Sequence, residues 1–341
     1  MEFGRPSGHS NSREGDAGDR HHSTKRARGL TSRRPRHQKS LVRTLFEGEI
    51  DIIGDTHGEI EALRTLMRHL GYTGDGSHPA GRRIVFLGDL TDRGPDSLAV
   101  VDLVSSLIAS GRAQCVLGNH DLNILLNHEK AENQWFFGKP FLHEGRVIPQ
   151  KQATDGARRG IAAFFQTLPL VLERPGLRIV HACWNAEMAD VARTAAGAVE
   201  LYDRYRDLIE ADIRDRKDLD AVGRRLQHQN RNPAKVLTSG PEERADKPFH
   251  AGGKLRHEQR VPWWNDYNEP EVCVFGHYAT SPNRPNGAGR AICVDFGAGK
   301  RWEERLTSGD AGPFRHKLAA LRFPELRLVF DDGKETADGR E

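Results

Sequence analysis

The chain has 341 residues, of which 37% are hydrophobic and 29% are charged. This length allows one large α/β domain or two small ones, and no apolar run is long enough to span a bilayer or to serve as a signal peptide. The four cysteines form no CxxC pair and lie in apolar stretches, so we expect buried, reduced thiols and a cytoplasmic protein.

The first predicted segment is a basic tail. Residues 1–40 carry ten Lys or Arg against four Asp or Glu, although the net charge of the whole chain is only +3. Because this stretch has almost no apolar residues, we expect residues 1–40 to be disordered. The tail could make weak contact with nucleic acid or with an acidic partner, whereas the rest of the chain has no basic excess.

Three strand–helix units are predicted next. A strand over Glu49–Ile53 precedes the motif GDTHG, a strand over Ile84–Leu87 precedes GDLTDRG, and a strand over Gln114–Leu117 precedes GNHD. Apolar residues recur at helical spacing from Ile60 to Leu70 and from Leu98 to Ile108. Three such units in succession predict a parallel sheet with right-handed crossovers.

The second half continues with less regular spacing. Residues 185–268 are highly charged with one apolar stripe, which predicts a helical insertion or cap. The other predicted elements are a helix over Gly160–Leu172 and strands over Arg178–Ala182, Val272–Phe275, Ala291–Phe296 and Leu326–Phe330. We expect the strands at 272 and 291 to be neighbours.

Polar side chains follow five of the predicted strands, where the carboxyl ends of parallel strands open onto one crevice. They are Asp55, His57, Asp89, Asp92, Asn119, His120, His181 and His277. One such residue alone is commonly structural, but eight together are not. Carboxylate, imidazole and amide donors without thiolates suit borderline divalent metals and argue against structural zinc. An aspartate that bridges two ions about 3.5–4 Å apart is typical of sites that generate hydroxide for attack on phosphorus.

The motifs GDTHG, GDLTDRG and GNHD, followed by VHACW and FGHY, resemble those of the calcineurin-like metallophosphoesterases. The resemblance is strongest to the PPP branch, which contains Ser/Thr protein phosphatases and symmetrical diadenosine tetraphosphatases. It implies an α/β fold of two packed mixed β-sheets flanked by helices, with the metallophosphoesterase domain spanning residues 45–341 and the insertion at 185–268.

The resemblance also implies roles for individual residues. Two divalent metal ions are expected, Mn first, with Fe, Zn, Co or Ni as alternatives. The first metal would be held by Asp55, His57 and Asp89, and the second by Asp89, Asn119, His181 and His277. His120 would protonate the leaving oxygen, oriented by Asp92, and Arg93 would bind the phosphate.

The substrate is left open by the sequence. We expect hydrolysis of phosphomonoesters, in a phosphoprotein or a small phosphorylated metabolite. Alternatives are a dinucleoside polyphosphate hydrolase of the diadenosine tetraphosphate type and a nucleic-acid phosphatase or phosphodiesterase tethered by the tail. A scaffold protein with a decayed site is disfavoured because every expected ligand is present.

Departures from the protein phosphatases affect this choice. The chain has GNHD where they have GNHE, HAC where they have HGG, and CVDFGAG instead of a SAPNY-like loop, which suggests a bacterial-type phosphatase. Arg231 and Lys235 could contact a second phosphate or could be surface charges. A base-stacking surface, which a dinucleotide would need, could come from aromatic residues Trp135, Phe136, Trp263 and Trp264, although each of them is more commonly a packing residue.

Overall fold

A computed structural model of the chain describes residues 40–251, 254–280, 286–309 and 312–336. The basic tail predicted over residues 1–40, with its predicted partners, lies outside the described residues except for Ser40. Within the described ranges, no helix combines the length and the apolar character that a membrane crossing requires. All four cysteines are buried, free thiols, as their apolar surroundings in the sequence predicted.

The strands of the described part are short and are distributed over the whole chain. In order they are β1 (Val42–Thr44), β2 (Ile50–Ile53), β3 (Arg83–Phe86), β4 (Ala113–Cys115), β5 (Phe141–His143), β6 (Arg146–Ile148), β7 (Val171–Arg174), β8 (Leu177–Val180), β9 (Glu242–Ala251), β10 (Lys254–Arg260), β11 (Val272–Phe275), β12 (Gly287–Ala288), β13 (Ala291–Cys293), β14 (Ala319–Phe323), β15 (Arg327–Phe330) and β16 (Glu335–Thr336).

The helices lie mainly between strands. They are α1 (Ile60–Leu70), α2 (Ser97–Ala109), α3 (Asn119–Leu125), α4 (Asp155–Phe165), α5 (Ala186–Arg193), α6 (Ala198–Ile213), α7 (Ala221–Arg231), α8 (Pro233–Ser239) and α9 (Arg301–Ser308), with 3₁₀ turns at Trp263–Asp266 and Ala298–Lys300. Local sequence signals explain the ends of the helices that were predicted. Helix α1 ends at Gly71, whose φ of 94° favours glycine, and the Asp96 side chain caps α2 by accepting from the Ala99 amide.

Two mixed sheets form the centre of the fold. One has the strand order β16-β15-β14-β2-β3-β4 and the other β1-β7-β8-β11-β13-β12. Strands β2, β3 and β4 are parallel to their neighbours in this series, as predicted. Strand β13 is the parallel neighbour of β11, also as predicted.

The two sheets pack face to face through alternating apolar side chains. Ile50 and Ile52 of β2 join a core that contains strand residues of both sheets and no helix residue, whereas Ile53 points to the opposite face and packs with α1. Helices cover these outer faces. The pair of packed mixed sheets flanked by helices is therefore confirmed.

Three expectations about elements need correction. The helix predicted over Gly160–Leu172 is α4, which ends at Phe165, because Pro169 disfavours helix at the residue before it and the chain then enters β7. The charged segment 185–268 contains helices α5 to α8, but residues 242–260 form a β-hairpin of β9 and β10 instead of a helix. Strand β14, next to β2, was not predicted.

Candidate active site

The predicted site residues come from both sheets, although one parallel sheet was expected to carry all of them. Asp55, Asp89 and Asn119 follow β2, β3 and β4 of the first sheet. His181 and His277 follow β8 and β11 of the second. The carboxyl ends of these five strands meet at one place, since His181 Nε2 lies 3.4 Å from Asp89 Oδ2.

Glycines at the strand ends allow this close approach. A Cβ on Gly276 would lie 2.1 Å from Asp55 Oδ1, and one on Gly118 would lie 2.2 Å from Asp89 Oδ1. Gly88 has a φ of 87°, and a Cβ there would lie 2.5 Å from the Gly118 amide. The glycines of the GN and GH pairs are thus required by a site carboxylate, whereas the first glycine of GDLTDRG is required by its own φ and by the backbone at Gly118.

The loops that carry the site have an unusual backbone. His57, Asp89, Asp92, Arg93 and His277 have φ values of 45°, 47°, 75°, 67° and 64°. Non-glycine residues adopt this left-handed region at a cost, and such residues are concentrated at functional sites. The surrounding fold therefore holds these five side chains in place against their local preference.

Asp89 is common to two groups of potential metal ligands. His57, Asp89 and His120 each offer one atom within 4.8 Å of the others, and so do Asp89, His181 and His277. The His57 Nε2 to Asp89 Oδ2 distance is 3.7 Å. The first group contains His120, which was predicted as a proton donor, and it does not contain Asp55.

Asp55 and Asn119 complete the second side of this arrangement. Asn119 Oδ1 lies 2.8 Å from His277 Nδ1 and 3.2 Å from His181 Nε2. Asp55 Oδ2 accepts from the His277 amide at 3.0 Å, while its buried Oδ1 has no hydrogen-bond partner among the described residues. A buried carboxylate oxygen without a partner is costly, so this donor set of carboxylates, imidazoles and an amide fits divalent cations.

Backbone carbonyls orient two of the imidazoles. His57 Nδ1 lies 2.9 Å from the Thr91 carbonyl, and His181 Nδ1 lies 2.6 Å from the Leu87 carbonyl. An imidazole that donates through Nδ1 turns its Nε2 lone pair to the opposite side, the arrangement that metal-binding histidines commonly have. For His57 this tautomer is also required by Arg93, whose Nη1 donates to Nε2 at 3.2 Å.

Burial and mutual charge shift the pKa values of the protein's own groups. Burial and the nearby Asp295 raise the pKa of Asp55 well above its usual value. Burial also acts on Asp89, but the cations His181 and His120 outweigh it and hold the pKa of Asp89 well below its usual value. Asp89 is therefore the carboxylate that stays ionised here.

The histidines divide into two types. Burial, with Arg93 near His57 and Arg260 near His277, lowers the pKa of both imidazoles well below the usual value, so both are neutral and able to bind a metal. Burial of His181 is outweighed by Asp89 and Asp55, which raise its pKa to about 10. At this pKa His181 carries a proton on both ring nitrogens. A divalent cation could replace the proton on Nε2, because the carboxylates of Asp89 and Asp55 would attract either one.

His120, Asp92 and Arg93 form a connected group beside the ligands. His120 Nδ1 lies 2.7 Å from Asp92 Oδ2, and Trp135 Nε1 donates to Asp92 Oδ1 at 2.7 Å. Burial and Arg93 lower the pKa of His120, but Asp89 and the Asp92 hydrogen bond raise it by more. Arg93 Nη2 donates to His120 Nε2 at 3.1 Å, so its guanidinium spans the two histidines.

Sequence reasoning missed two buried carboxylates. Asp295 follows β13 and accepts from the Gly297 amide at 2.8 Å, and its charge acts on Asp55. The sequence feature that could have identified Asp295 is its position after a strand, in CVDFGAG. Asp121, the last residue of GNHD, accepts from the Leu90 amide and the Gly118 amide, both at 3.2 Å, and so joins the two loops around Asp89.

The aromatic residues that could have formed a base-stacking surface are buried in the core, so the alternative of packing applies to all four. They are Trp135, Phe136, Trp263 and Trp264. Trp263 and Trp264 pack against Phe275, and the Trp263 indole donates to the carbonyl of Ala182 at 3.0 Å. Because these rings are buried, removing them would chiefly affect stability. The sequence around them has no feature that distinguishes a buried ring from an exposed one.

Comparisons with known proteins agree with this geometry. The sequence profile of the calcineurin-like phosphoesterases matches residues 48–298. The chain is 39% identical over 294 residues to the asymmetrical bis(5'-nucleosyl)-tetraphosphatase PrpE of Geobacillus thermodenitrificans, covering 82% of this chain and 92% of that protein. It is 48% identical over 282 residues to the protein of the same name from Anoxybacillus flavithermus, with the same coverage.

Among solved structures, a cold-active protein-tyrosine phosphatase of a psychrophile Shewanella matches with 17% identity and a TM-score of 0.47, over 86% of this chain and 81% of that one. The profile covers well over half of the sequence, and the two relatives are matched over nearly their whole length. The chain therefore belongs to the calcineurin-like phosphoesterase family and is a metal-dependent hydrolase of phosphate ester bonds.

Proposed function

We propose that this protein hydrolyses dinucleoside polyphosphates, and specifically that it cleaves a tetraphosphate bridge unequally into a nucleoside triphosphate and a nucleoside monophosphate. The observation that carries the proposal is the relatedness to the asymmetrical tetraphosphatases over 92% of their length. The resemblance in the sequence included the symmetrical enzymes, which would release two diphosphates, so the products distinguish the two.

We further propose two divalent metal ions, with Mn²⁺ as the first choice. Asp55, His57 and Asp89 would hold one ion, and Asp89, Asn119, His181 and His277 would hold the other. The group of Asp89, His181 and His277 supports the second position, and the approach of His57 to Asp89 supports the first. Asp55 is added to the first because its buried Oδ1 has no hydrogen-bond partner among the described residues. When bound, the ions supply Lewis-acid activation of the phosphate and a strong nucleophile at neutral pH.

The protein's own side chains would orient the substrate and move a proton. Arg93 can offer two parallel N–H groups to a phosphate, the geometry that a guanidinium provides best. If the Arg93 guanidinium released His57 and His120 in order to bind the phosphate, His120 Nε2 would be free to face the leaving oxygen. Once Arg93 has moved, Nε2 would be able to take up a proton from solvent. With Nδ1 donating to Asp92, which stabilises the charged ring, this Nε2 proton is the one that would be given up to the leaving oxygen.

Phosphomonoesterase activity is the second candidate function, and the pairing of His120 with Asp92 favours it. A general acid matters most for a basic alkoxide, such as the serine of a phosphoprotein. A nucleotide leaves from an anhydride as a stable anion and needs this help less. Both reactions use the same metal centre.

The test is a product analysis with purified full-length protein and Mn²⁺. Diadenosine tetraphosphate should yield ATP and AMP in equal amounts, and its kcat/KM should exceed that for a phosphoserine peptide. EDTA should abolish hydrolysis of every substrate, and Mn²⁺ should restore it. Two molecules of ADP, or a preference for the phosphopeptide, would contradict the proposed substrate, and full activity in metal-free protein would contradict the metal centre.

A further inference from the structure

The two basic residues that could contact a second phosphate have different surroundings. Arg231, at the end of α7, is exposed and pairs with Asp212, with Nη1 2.6 Å from Oδ2. Lys235 on α8 is half-buried, and its ammonium makes no ion pair or hydrogen bond with any residue that the structure describes. Arg231 is thus a surface charge, whereas Lys235 has no structural partner for its charge.

Helix α8, which carries Lys235, lies beside two of the strand ends that form the site. The carbonyl of Leu237 accepts from the Ala182 amide at 3.0 Å, directly after His181. At the end of the helix, a Cβ on Gly240 would lie 1.8 Å from the hydroxyl of Tyr278. Helix α8 therefore runs alongside the two strand ends that carry His181 and His277.

Two further cations belong to the same region. Arg260 donates through Nη1 to the carbonyl of His277 at 2.9 Å, and its guanidinium lies 5.3 Å from the centre of the Tyr278 ring. Lys130 acts electrostatically on Lys235 and, together with it, on His128. Neither Lys130 nor Arg260 has a carboxylate within ion-pair distance in the described part of the chain.

The loop of Lys130 connects this region to the opposite side of the site. Glu132, two residues later, has Oε1 3.5 Å from Arg93 Nε. Arg93 and Arg260 thus contact proposed ligand residues on two sides of the site. Lys130 and Lys235 belong to the loop and the helix that lie beside it.

Acidic groups in this region form no ion pair with Lys130, Lys235 or Arg260 in the described part of the chain. Glu242 interacts with both Lys235 and Arg260, which oppose the rise in its pKa that burial causes. Asp203 faces His128 but already pairs with Arg206, with Oδ1 2.5 Å from Nη1. Burial lowers the pKa of Lys235, Glu242 works against this, and Lys130 adds to it. A partly desolvated ammonium without a partner is unfavourable unless an anion binds to it.

We propose that Lys130, Lys235 and Arg260 form a subsite for the phosphates of a polyphosphate chain that extend beyond the phosphate at the metal centre. The choice of a polyphosphate substrate rests on the proposed function. A phosphomonoester has no anionic group to place there, whereas a dinucleoside tetraphosphate has three further phosphates. Lys235 and Lys130, as flexible point charges, can follow a chain of variable conformation.

The test uses Mn²⁺-loaded full-length protein and two inhibitors of p-nitrophenyl phosphate hydrolysis, inorganic tripolyphosphate and orthophosphate, at constant free Mn²⁺. Lys235→Gln should raise the Ki of tripolyphosphate by about tenfold relative to its effect on the Ki of orthophosphate. Lys130→Gln, on an exposed loop, should act in the same direction and serves if Lys235→Gln fails to fold. The matched control, Arg231→Gln, should change neither constant. Equal changes for the two inhibitors, or none, would overturn the subsite.

The outcomes separate this inference from the proposed function. If the protein does not cleave diadenosine tetraphosphate but both lysine variants lose selective binding of tripolyphosphate, the subsite stands and the proposed substrate fails. If the protein cleaves the dinucleotide and the lysine variants affect both inhibitors equally, the proposed substrate stands and the subsite fails.

Discussion

At the scale of single residues, Asp89 differs from every other proposed ligand because it contacts both groups. Replacing it with Asn weakens both metal positions, so we expect Asp89→Asn to retain less than one Mn²⁺ per chain and to lose at least about 100-fold in kcat. Metal analysis together with the hydrolysis of p-nitrophenyl phosphate measures both effects.

Asn119→Ala is the comparison for this experiment, because Asn119 contacts only the group with His181 and His277. It should reduce occupancy of one position and cost less activity than Asp89→Asn. If Asp89→Asn keeps two ions and turns over normally, Asp89 does not bridge them.

His120 permits a test that depends on the leaving group. In the proposed mechanism, its hydrogen bond to Asp92 keeps a proton available for a basic leaving oxygen. His120→Asn should therefore cost roughly 100-fold with phosphoserine. The loss should be much smaller with p-nitrophenyl phosphate and with diadenosine tetraphosphate, whose leaving groups are stable anions.

Metal content must be measured in each His120→Asn preparation, because His120 lies in one of the ligand groups. Loss of metal would identify His120 as a ligand. Equal losses on all substrates with both metals retained would mean that His120 positions the substrate and donates no proton.

At the scale of elements, the loop after β11 depends on the missing side chain of Gly276. A methyl group there would collide with Asp55 Oδ1 at 2.1 Å. We expect Gly276→Ala to displace Asp55, to lower Mn²⁺ affinity and to reduce activity by about tenfold or more. Titration with Mn²⁺ followed by activity measures this, and circular dichroism shows that the protein is folded.

Gly160 provides the matched control. It lies exposed in α4 with no atom within 4 Å of an added Cβ. Gly160→Ala should leave metal binding unchanged and should stabilise the protein by about 0.5–1 kcal/mol. If Gly276→Ala also left the Mn²⁺ affinity unchanged, the close approach of Gly276 to Asp55 would not matter for metal binding.

The elements that could be predicted from the sequence are those with local signals. The apolar runs before GDTHG, GDLTDRG and GNHD gave β2, β3 and β4 within one or two residues, and the apolar spacing with Gly71 gave α1. The residues after these strands could be assigned to the candidate site, because the end of each strand fixes their position in the fold. The predicted helix over Gly160–Leu172 was too long because its spacing was followed past Pro169.

Pairing between distant segments could not be predicted in the same way. Nothing local to β8 and β11 shows that they belong to a different sheet from β2 to β4, and only the family resemblance implied two sheets. The hairpin of β9 and β10 gives no strand signal, because its residues are charged on both faces and carry no alternating apolar pattern. Burial of the tryptophans likewise depends on non-local packing around Phe275.

At the scale of the whole molecule, stability and chemistry are located at opposite ends of the strands. Arg82, directly before β3, is buried and donates to Asp51 of β2, with Nη2 3.0 Å from Oδ1. Glu49 and Glu325 also bind this guanidinium, and Tyr72 donates to Asp51 Oδ2 at 2.8 Å. This network lies at the amino ends of β2 and β3, whereas the site follows their carboxyl ends.

Removing Arg82 should therefore destabilise the fold without changing the metal centre. Arg82→Gln leaves the Asp51 carboxylate buried without its cation, so we expect a loss of about 3–5 kcal/mol in the free energy of unfolding. Urea denaturation measures this loss. Mn²⁺ affinity of the folded variant should match that of the wild type, and a large drop in affinity would show that the two ends of the strands are coupled.

The left-handed backbone of His57, Asp89, Asp92, Arg93 and His277 sets a limit on adaptation to heat. Each of these residues costs the fold about 1 kcal/mol or more, and glycine would recover part of it only by deleting a side chain that the proposed chemistry uses. Selection for a hotter habitat cannot draw on these positions and must act on helices, surface charges and the Arg82 network. Variation between relatives from cold and hot environments should accordingly spare the five positions and accumulate elsewhere.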